Sequence, residues 1–370
     1  MSNRTSEHYP ESFYEKLAAD ALAGRALDDT TARIILNDPK IDLFSLIYSA
    51  YRVRRHFWGK DVTVHIIDNV QNGQCSQDCR YCAQSHASEA EIETYPMKSD
   101  AEIMAEAEQA YRAGAFRHCL VFSGYRPSTD RIKHLADLVR GMKTRFPMQV
   151  CVSPGVLSYE QARVLKQAGL DRLNHNLNTS QRHYSKICST HTFQDRLNTI
   201  RAARQAGLEI CSGIIAGLGE TAEDIIMLAR QLKDVGAASI PINFLIPIKG
   251  TDMVPPDHLT PEYCLRIICL FRFINPAAEI RMAAGRELYL RDLEILGLMA
   301  ANSLFLAGYL NVRGSSRART LQLIKDAGLA IRSDRNLDDI LALETRKKNN
   351  EEEQGIHLKT PADLHPSLKE

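Results

Sequence analysis

The sequence lacks the features that mark membrane, exported disulfide-rich or nucleic-acid-binding proteins. Its 370 residues include one tryptophan, and acidic and basic residues nearly cancel to a formal net charge of +1. No basic stripe stands out, so a nucleic-acid partner has no electrostatic support. No apolar run approaches the ~18 residues of a membrane span, and MSNRTSEHYPESFYEKL lacks the basic start and apolar core of a signal peptide. We therefore expect a cytoplasmic protein with no membrane partner.

Cysteine, by contrast, is abundant. The nine cysteines are an odd number, and without an export signal a disulfide framework is not favoured. Cys75, Cys79 and Cys82 fall within GQCSQDCRYCAQS at C-x3-C-x2-C spacing. Structural zinc usually takes four ligands, often two C-x2-C pairs, and no second pair follows, although a zinc knuckle or incidental thiols remain the plain alternatives. Three thiolates on a short loop suit three corners of a cubane iron–sulfur cluster, which leaves one iron open to a substrate or cofactor.

A recurring order of capped helix, glycine and apolar strand predicts the fold. The helices open with Ser or Thr, usually with Asp, Glu or Gln three residues later, and close at Gly114, Gly169, Gly207 or Gly236. The strands are near-continuous apolar runs, which is typical of a parallel sheet buried on both faces. Strands are predicted at 62–71, 118–124, 148–154, 171–177, 209–218, 239–248, 279–285 and about 303–310.

Eight β/α units indicate an α/β protein with a TIM-type (β/α)8 barrel, and a doubly wound open sheet is the alternative. We predict a helical N-terminal extension over 1–55, the barrel over 56–335 and a polar C-terminal tail over 336–370. Within the tail, RKKNNEEEQ at 346–354 is typical of a solvated or disordered segment. The cysteine loop follows the first strand, so it should lie at the C-terminal mouth of the barrel, where active sites sit.

Thiols and one charge also occur inside the predicted apolar strands. Cys119, Cys151 and Cys211 lie on three separate strands, and Arg281 lies on a fourth. A single buried cysteine is ordinary. A buried arginine, however, needs a negative partner, and a cluster held by thiolates would supply one.

Three asparagines alternate at the end of the fourth predicted strand. The period of two directs Asn174, Asn176 and Asn178 to the same side of the strand. Buried amides need hydrogen-bond partners. The pattern therefore indicates either a structural network between strands or a site for a small polar ligand at the barrel mouth.

Together these motifs resemble a known family. The C-x3-C-x2-C triplet with Tyr81 before its last cysteine is similar to that of the radical S-adenosylmethionine superfamily. The strand cysteines with the arginine, and the segments NHNLNTS, IPINFLIPIKGT and AGRE, resemble the biotin synthase family from about residue 45 to 330. The resemblance implies a sulfurtransferase that inserts sulfur into dethiobiotin. It also implies a homodimer and a small electron-donor protein of the flavodoxin or ferredoxin type.

The same resemblance implies roles for individual residues. A 4Fe-4S cluster would be held by Cys75, Cys79 and Cys82, with S-adenosyl-L-methionine on the fourth iron and a 5′-deoxyadenosyl radical released by its cleavage. The sulfur would come from an auxiliary 2Fe-2S or larger cluster held by Cys119, Cys151, Cys211 and Arg281. Cofactor contacts are implied for Tyr81, Asn176, Asn178, Arg196 and Gly217. Contacts to the ureido ring of dethiobiotin are implied for Asn174, Asn176 and Asn243.

Four features depart from the family pattern. Asn178 stands where the family commonly has aspartate, VFSGYRP follows the second strand, and NVRGSSRA at 311–318 replaces an expected threonine-rich segment. Cys188, in SKICSTHT, is an additional cysteine and an alternative auxiliary ligand in place of Arg281. Cys264 and Cys269, on the helix PEYCLRIICLF, are predicted to be core residues.

Two other functions remain alternatives. One is a different radical enzyme on this scaffold, such as a hydrogenase-cofactor maturase or a methylornithine synthase, which would not insert sulfur. The strand cysteines argue against it. The other is a non-enzymatic iron–sulfur or zinc carrier, and the asparagine-rich strand end argues against that.

Overall fold

Hydrogen bonding between the first and last barrel strands closes the sheet of this protein. The computed structural model describes residues 8–346 and 358–365. The barrel strands are β1 (Asp61–Gln71), β2 (Arg117–Phe122), β3 (Gln149–Ser153), β4 (Arg172–Asn174), β5 (Glu209–Cys211), β6 (Ile214–Ala216), β7 (Ala237–Phe244), β8 (Glu279–Met282) and β9 (Ser303–Phe305). Neighbouring strands are parallel, and β1 pairs with both β2 and β9. The (β/α)8 barrel is therefore confirmed, and the open sheet is excluded.

One predicted strand is divided in two. The segment predicted at 209–218 forms β5 and β6, and both pair with β7. At the break, a Cβ added to Gly213 would lie 1.9 Å from the carbonyl oxygen of Pro241. Only glycine fits so close an approach of two backbones. The break also frees backbone groups for the neighbouring strand end, because Gly213 N–H donates to Asn176 Oδ1 and the Gly213 carbonyl accepts from Asn178 N–H, both at 3.0 Å.

Helices cover the outside of the barrel. Those before it are α1 (Glu11–Leu22), α2 (Asp29–Asn37) and α3 (Leu43–Trp58). Those between and after the strands are α4 (Asp100–Arg112), α5 (Thr129–Arg145), α6 (Tyr159–Gln167), α7 (Phe193–Gln205), α8 (Ala222–Asp234), α9 (Pro261–Ile274), α10 (Arg286–Leu290), α11 (Glu294–Ala300), α12 (Arg317–Asp326), α13 (Leu337–Arg346) and α14 (Pro361–Leu364). Single 3-10 turns occupy Tyr184–Lys186 and Arg291–Leu293. None of the helices in the described part of the chain has the length and apolar character needed to span a bilayer.

The predicted helix signals are confirmed. Capping boxes open α4, α6, α7 and α8, and a glycine with positive φ follows the last turn of each. Cys264 and Cys269 on α9 are fully buried, as expected for core residues. The N-terminal helices α1 to α3 pack against α8, α9 and α11, so they extend the helical layer on one side of the barrel.

The C-terminal residues contact both ends of the barrel, first at the start of β1 and then at the mouth. A short strand, β10 (Ala330–Ile331), pairs with the start of β1, and α13 packs against α12. Residues 347–354 of the predicted polar run lie outside the described residues. Further on, Lys359 N–H donates to the Asn311 carbonyl at 2.9 Å, and Leu364 is buried. Residues 358–365 therefore pack against the loop that follows β9.

The loops after β2 and β3 meet so closely that Gly155 is required. Gly155 has φ +96, and an added Cβ would lie 2.2 Å from the Tyr125 carbonyl oxygen. We expect Gly155→Ala to lower the free energy of unfolding by ~1–3 kcal/mol, measured by denaturant titration. Gly24→Ala is the matched control, since Gly24 also has positive φ but has nothing within 4 Å of its added Cβ. Equal losses in the two variants would show that the close approach contributes nothing.

Candidate functional site

A cavity of about 380 Å³ opens at the C-terminal mouth of the barrel. Its walls come from the ends of the strands and the loops that follow β1, β2, β4, β7 and β9. Eleven of the predicted site residues line it: Cys75, Cys79, Tyr81, Cys82, Cys119, Asn174, Asn176, Asn178, Arg196, Asn243 and Arg281. Cys151, Cys188, Cys211 and Gly217 lie outside this lining. The volume is within the usual range of small-molecule sites.

The loop after β1 places three thiols on one wall of the cavity. It is folded back on itself, with Cys82 N–H donating to the Cys79 carbonyl and Cys75 N–H donating to the Gln84 carbonyl. Cys79 is buried, and Cys75 and Cys82 are half-buried. Burial raises the pKa of Cys82 to about 11. A thiolate at this position needs a neighbouring cation, so the donor set fits an iron cluster better than it fits free thiols.

Asp78 connects the cysteine loop to the loop that contains Cys188. Its carboxylate accepts from the backbone N–H groups of Ser189 at 3.0 Å and Thr190 at 3.1 Å, and from Thr190 Oγ1 at 2.7 Å. Burial alone raises the pKa of Asp78, but the hydrogen bonds from Ser189, Cys188 and Thr190 hold that pKa well below its usual range. The two loops are therefore held together by a carboxylate that remains ionised.

Asp78→Asn should loosen this connection. An amide has one acceptor oxygen, and its NH2 group would face the donors of Ser189 and Thr190. We expect a chelator to remove iron from the reconstituted loop cluster ~10–100-fold faster than in the unchanged protein, followed by visible absorbance. Asp252→Asn is the control, because Asp252 is an exposed partner of Arg80 in the same region. The interpretation is wrong if both variants lose iron at the same rate.

Cys188 is a neighbour of the cysteine loop. Its Sγ lies 3.8 Å from Cys79 Sγ and 3.2 Å from His191 Nδ1. The ligand atoms of Cys79, Cys188 and His191 all lie within 4.8 Å of one another. The structure does not bring Cys188 to the strand cysteines. This placement gives no support to its predicted role as an auxiliary ligand.

The strand cysteines converge at the cavity wall, where Cys119 lines the cavity and Cys151 and Cys211 lie behind the lining. Cys119 and Cys151 are register partners on the neighbouring strands β2 and β3. Arg281 Nη1 lies 3.6 Å from Cys211 Sγ, and Asn174 Nδ2 lies 3.3 Å from the same sulfur. The neighbouring Cys151 thiol holds the pKa of Cys119 well below its usual range, against the effect of burial. Three thiols and one guanidinium thus share a buried site.

The same region carries an unbalanced buried charge. Glu279 pairs with Arg281, with Arg117 at 3.3 Å and with Arg172 at 3.2 Å. Arg172 also pairs with exposed Glu209 at 2.6 Å. In the described part of the chain, these three arginines therefore share two carboxylates. One positive charge remains, and an anionic thiolate cluster would compensate it.

Some side-chain amides at the mouth form hydrogen bonds with the backbone of neighbouring strands and loops. Asn243 Nδ2 donates to the Ile214 carbonyl at 2.8 Å, and its Oδ1 accepts from Ala284 N–H at 3.2 Å. Asn176 Oδ1 accepts from Gly213 N–H. No described residue accepts a hydrogen bond from Asn176 Nδ2, and this residue lines the cavity. Asn243 is thus used by the framework, whereas Asn176 keeps a donor for a ligand.

Tyr81, Asn178 and Arg196 form the wall next to the cysteine loop. Asn178 Nδ2 donates to the Tyr81 hydroxyl at 2.6 Å. Arg196 donates to the Asn176 carbonyl and to His191 Nε2, both at 2.9 Å. These two hydrogen bonds hold the Arg196 guanidinium in place, and the residue also lines the cavity.

Sequence reasoning missed some residues that line the cavity and included four that do not. His175 lies between two predicted asparagines and lines the cavity, and its buried Nε2 has no hydrogen-bond partner among the residues described. His191 was also missed, although it contacts both Cys188 and Arg196. Gly217, in contrast, is used by the turn after β6, where its N–H donates to Glu220 Oε1 at 2.7 Å.

A barrel whose first loop presents three cysteines to the mouth cavity is the arrangement of a radical S-adenosylmethionine enzyme. The sequence profile of the Radical SAM superfamily matches residues 71–232, and that of the Biotin and Thiamin Synthesis associated domain matches 241–330. This class uses a 4Fe-4S cluster and S-adenosyl-L-methionine.

Curated relatives define the family within this class. The biotin synthase of Acaryochloris marina is 52% identical over 83% of this chain and 89% of its own length. That of Magnetococcus marinus is 50% identical over 85% of this chain and 98% of its own. The chain therefore belongs to the biotin synthase family.

Solved structures with the same fold are more distant in sequence. A methylornithine synthase has a TM-score of 0.73 at 21% identity, covering 88% of this chain and 99% of its own. The FeFe-hydrogenase maturase of Carboxydothermus hydrogenoformans has a TM-score of 0.72 at 19% identity, covering 87% and 80%. At these identities the similarity shows the shared barrel alone.

Proposed function

We propose that this protein converts dethiobiotin to biotin, with sulfur donated by an auxiliary iron–sulfur cluster held on the barrel strands. The observation that carries the proposal is the convergence of three strand cysteines and Arg281 at the cavity that the cysteine loop lines, since Cys119 and Arg281 also line it. The family relationship supports the substrate and the product.

Radical chemistry suits this substrate. Unactivated C–H bonds have no acidity that a general base could exploit, so a cofactor must supply the reactivity. A 4Fe-4S cluster held by Cys75, Cys79 and Cys82 would supply the electron for reductive cleavage of S-adenosyl-L-methionine, and an auxiliary cluster held by the strand cysteines would supply sulfur. The chain itself contributes ligands, orientation and the exclusion of water.

We assign the walls of the cavity as follows. Cys75, Cys79 and Cys82 hold the loop cluster and leave one iron position open toward the cavity. The wall of Tyr81, Asn178 and Arg196 binds the polar groups of S-adenosyl-L-methionine, and the Arg196 fork suits a carboxylate. Gly217 stays a predicted cofactor contact, and it would act through the backbone of its turn.

The substrate assignment follows from the amides. Asn174 and Asn176 face the cavity and offer donors and acceptors that match the N–H and C=O groups of a ureido ring. Asn243 also lines the cavity and is held by two backbone groups, so it would present its amide in one orientation.

We assign the auxiliary cluster to Cys119, Cys151, Cys211 and Arg281, with Arg281 as the fourth ligand. Cys188 contacts Cys79 instead, which supports this assignment over the four-cysteine alternative. A 2Fe-2S cluster is the proposed form. A flavodoxin- or ferredoxin-type electron donor, a homodimer and a cytoplasmic location complete the proposal and follow from the family resemblance.

The test is an anaerobic reaction of reconstituted protein with S-adenosyl-L-methionine, a reductant and dethiobiotin, with mass spectrometric detection of 5′-deoxyadenosine and biotin. We expect both products. 5′-Deoxyadenosine without biotin would keep the radical class but reject the substrate. Absence of both, from protein with intact clusters, would favour the carrier alternative.

A further inference from the structure

We propose that Glu279 is a positioning residue for the auxiliary cluster, and that it acts with His65 to hold Arg281 against Cys211. The inference rests on the proposed function, since it assumes that the strand cysteines hold a cluster. Neither Glu279 nor His65 was assigned a role by the sequence motifs. Both are buried below the cavity, with exposures of 1% and 0%.

Glu279 is the centre of a dense hydrogen-bond network. Its Oε1 accepts from Ser239 Oγ at 2.9 Å and from Ser303 Oγ at 3.1 Å, and it lies 2.9 Å from His65 Nε2. Arg281 also donates to this oxygen. One carboxylate oxygen thus gathers groups from β1, β7, β8 and β9.

The network occupies Nε and Nη2 of Arg281 and leaves Nη1 for the thiol site. Arg281 Nε donates to Ser303 Oγ at 3.0 Å, and Nη2 donates to Ser239 Oγ at 2.9 Å. The ring centroid of Phe305 lies 4.9 Å from the guanidinium carbon, which covers one of its faces. Nη1 is the atom that lies against Cys211 Sγ. The surroundings therefore fix which nitrogen meets the thiol site.

His65 joins a second arginine to the same carboxylate. His65 Nε2 lies 2.9 Å from Glu279 Oε1 and 3.1 Å from Arg281 Nη2, and its Nδ1 lies 3.3 Å from Arg117 Nη1. Arg281 Nη2 lies 3.4 Å from the same Nδ1. The histidine thus contacts Glu279 and both arginines.

A purely structural role would predict a different result from a positioning role. If Glu279 only neutralises buried arginines, its loss lowers the melting temperature and leaves any bound cluster unchanged. If it positions Arg281, its loss changes the retention and the spectrum of the auxiliary cluster, while the loop cluster is unaffected. Iron content and spectroscopy separate the two without relying on turnover.

The experiment compares Glu279→Gln with Glu106→Gln, after anaerobic reconstitution of each variant. Glu106 is a matched control because it is also buried and paired with a cation, Lys98, at 2.8 Å, but it lies outside the thiol site. We expect Glu279→Gln to lose auxiliary iron to a chelator ~10–100-fold faster, with altered resonance Raman bands. S-Adenosyl-L-methionine cleavage should persist in both variants, and Glu106→Gln should retain auxiliary iron normally.

Retention of auxiliary iron by Glu279→Gln with an unchanged spectrum would overturn the inference. Absence of auxiliary iron from the unchanged protein would instead overturn the proposed function, so the two failures can be told apart. If Glu279→Gln does not fold, His65→Leu decides, because it removes the imidazole that contacts Glu279 and Arg281 and keeps a similar volume. Faster auxiliary iron loss in that variant would support the inference, and unchanged retention would reject it.

Discussion

Cys82→Ala is expected to abolish both 5′-deoxyadenosine and biotin formation. Cys82 lies on the wall of the mouth cavity with Cys75 and Cys79. Three thiolates would bind three irons of a four-iron cluster and leave the fourth open. Removal of one thiol leaves two ligands on the loop, so we expect no stable 4Fe-4S cluster. The measurement is iron and sulfide content after reconstitution, together with mass spectrometry of both products.

Cys264→Ala is the matched control for this loss. Cys264 is a fully buried thiol on α9 and has no part in the site, so cluster content and both products should be unchanged. Substantial 5′-deoxyadenosine formation by Cys82→Ala would contradict the assignment of the loop. It would direct attention to Cys188, which already contacts Cys79.

Cys151→Ala is expected to separate the two activities. Cys151 lies on β3 beside Cys119 and outside the cavity lining, far along the chain from the cysteine loop. We expect 5′-deoxyadenosine formation to continue at a similar rate, while biotin falls below detection. The auxiliary part of the visible spectrum should also be lost. The measurement is the ratio of the two products in a single anaerobic reaction.

Cys269→Ala provides the comparison, since it removes another fully buried thiol. Biotin formation by Cys151→Ala at the unchanged rate would mean that sulfur comes from elsewhere. Loss of both products would mean that β2 and β3 support the whole site rather than one cluster. Each outcome thus points to a different revision.

Much of the fold could be predicted because its signals are local. A Ser or Thr cap, an acidic or amide partner three residues later and a closing glycine lie within one helix, and the structure confirms them at Ser99, Ser158, Thr192 and Thr221. The break between β5 and β6 could not be predicted in this way. Its cause is the approach of Gly213 to Pro241, which exists only after the strands pair.

In the site, too, the local features could be predicted from the sequence, whereas the contacts between distant segments could not. The cysteine triplet is local, and its placement at the mouth follows from its position after β1. His65 and Glu279 carried the same signal as Arg281, a polar residue in an apolar strand, but their meaning depends on barrel closure. Only closure brings β1 and β8 to opposite sides of β9, where these side chains meet. The contact between Cys188 and Cys79 likewise joins two loops whose geometry no spacing encodes.

The return of residues 358–365 to the mouth affects how the protein should be purified. The backbone N–H of Lys359 donates to the Asn311 carbonyl, Asp363 pairs with Arg313 at 2.7 Å, and Leu364 is buried. An affinity tag at the carboxyl end would pull on a segment that supports a wall of the cavity, whereas a tag before α1 would not. Weak activity of a carboxyl-tagged preparation would then report on the tag rather than on cluster loading.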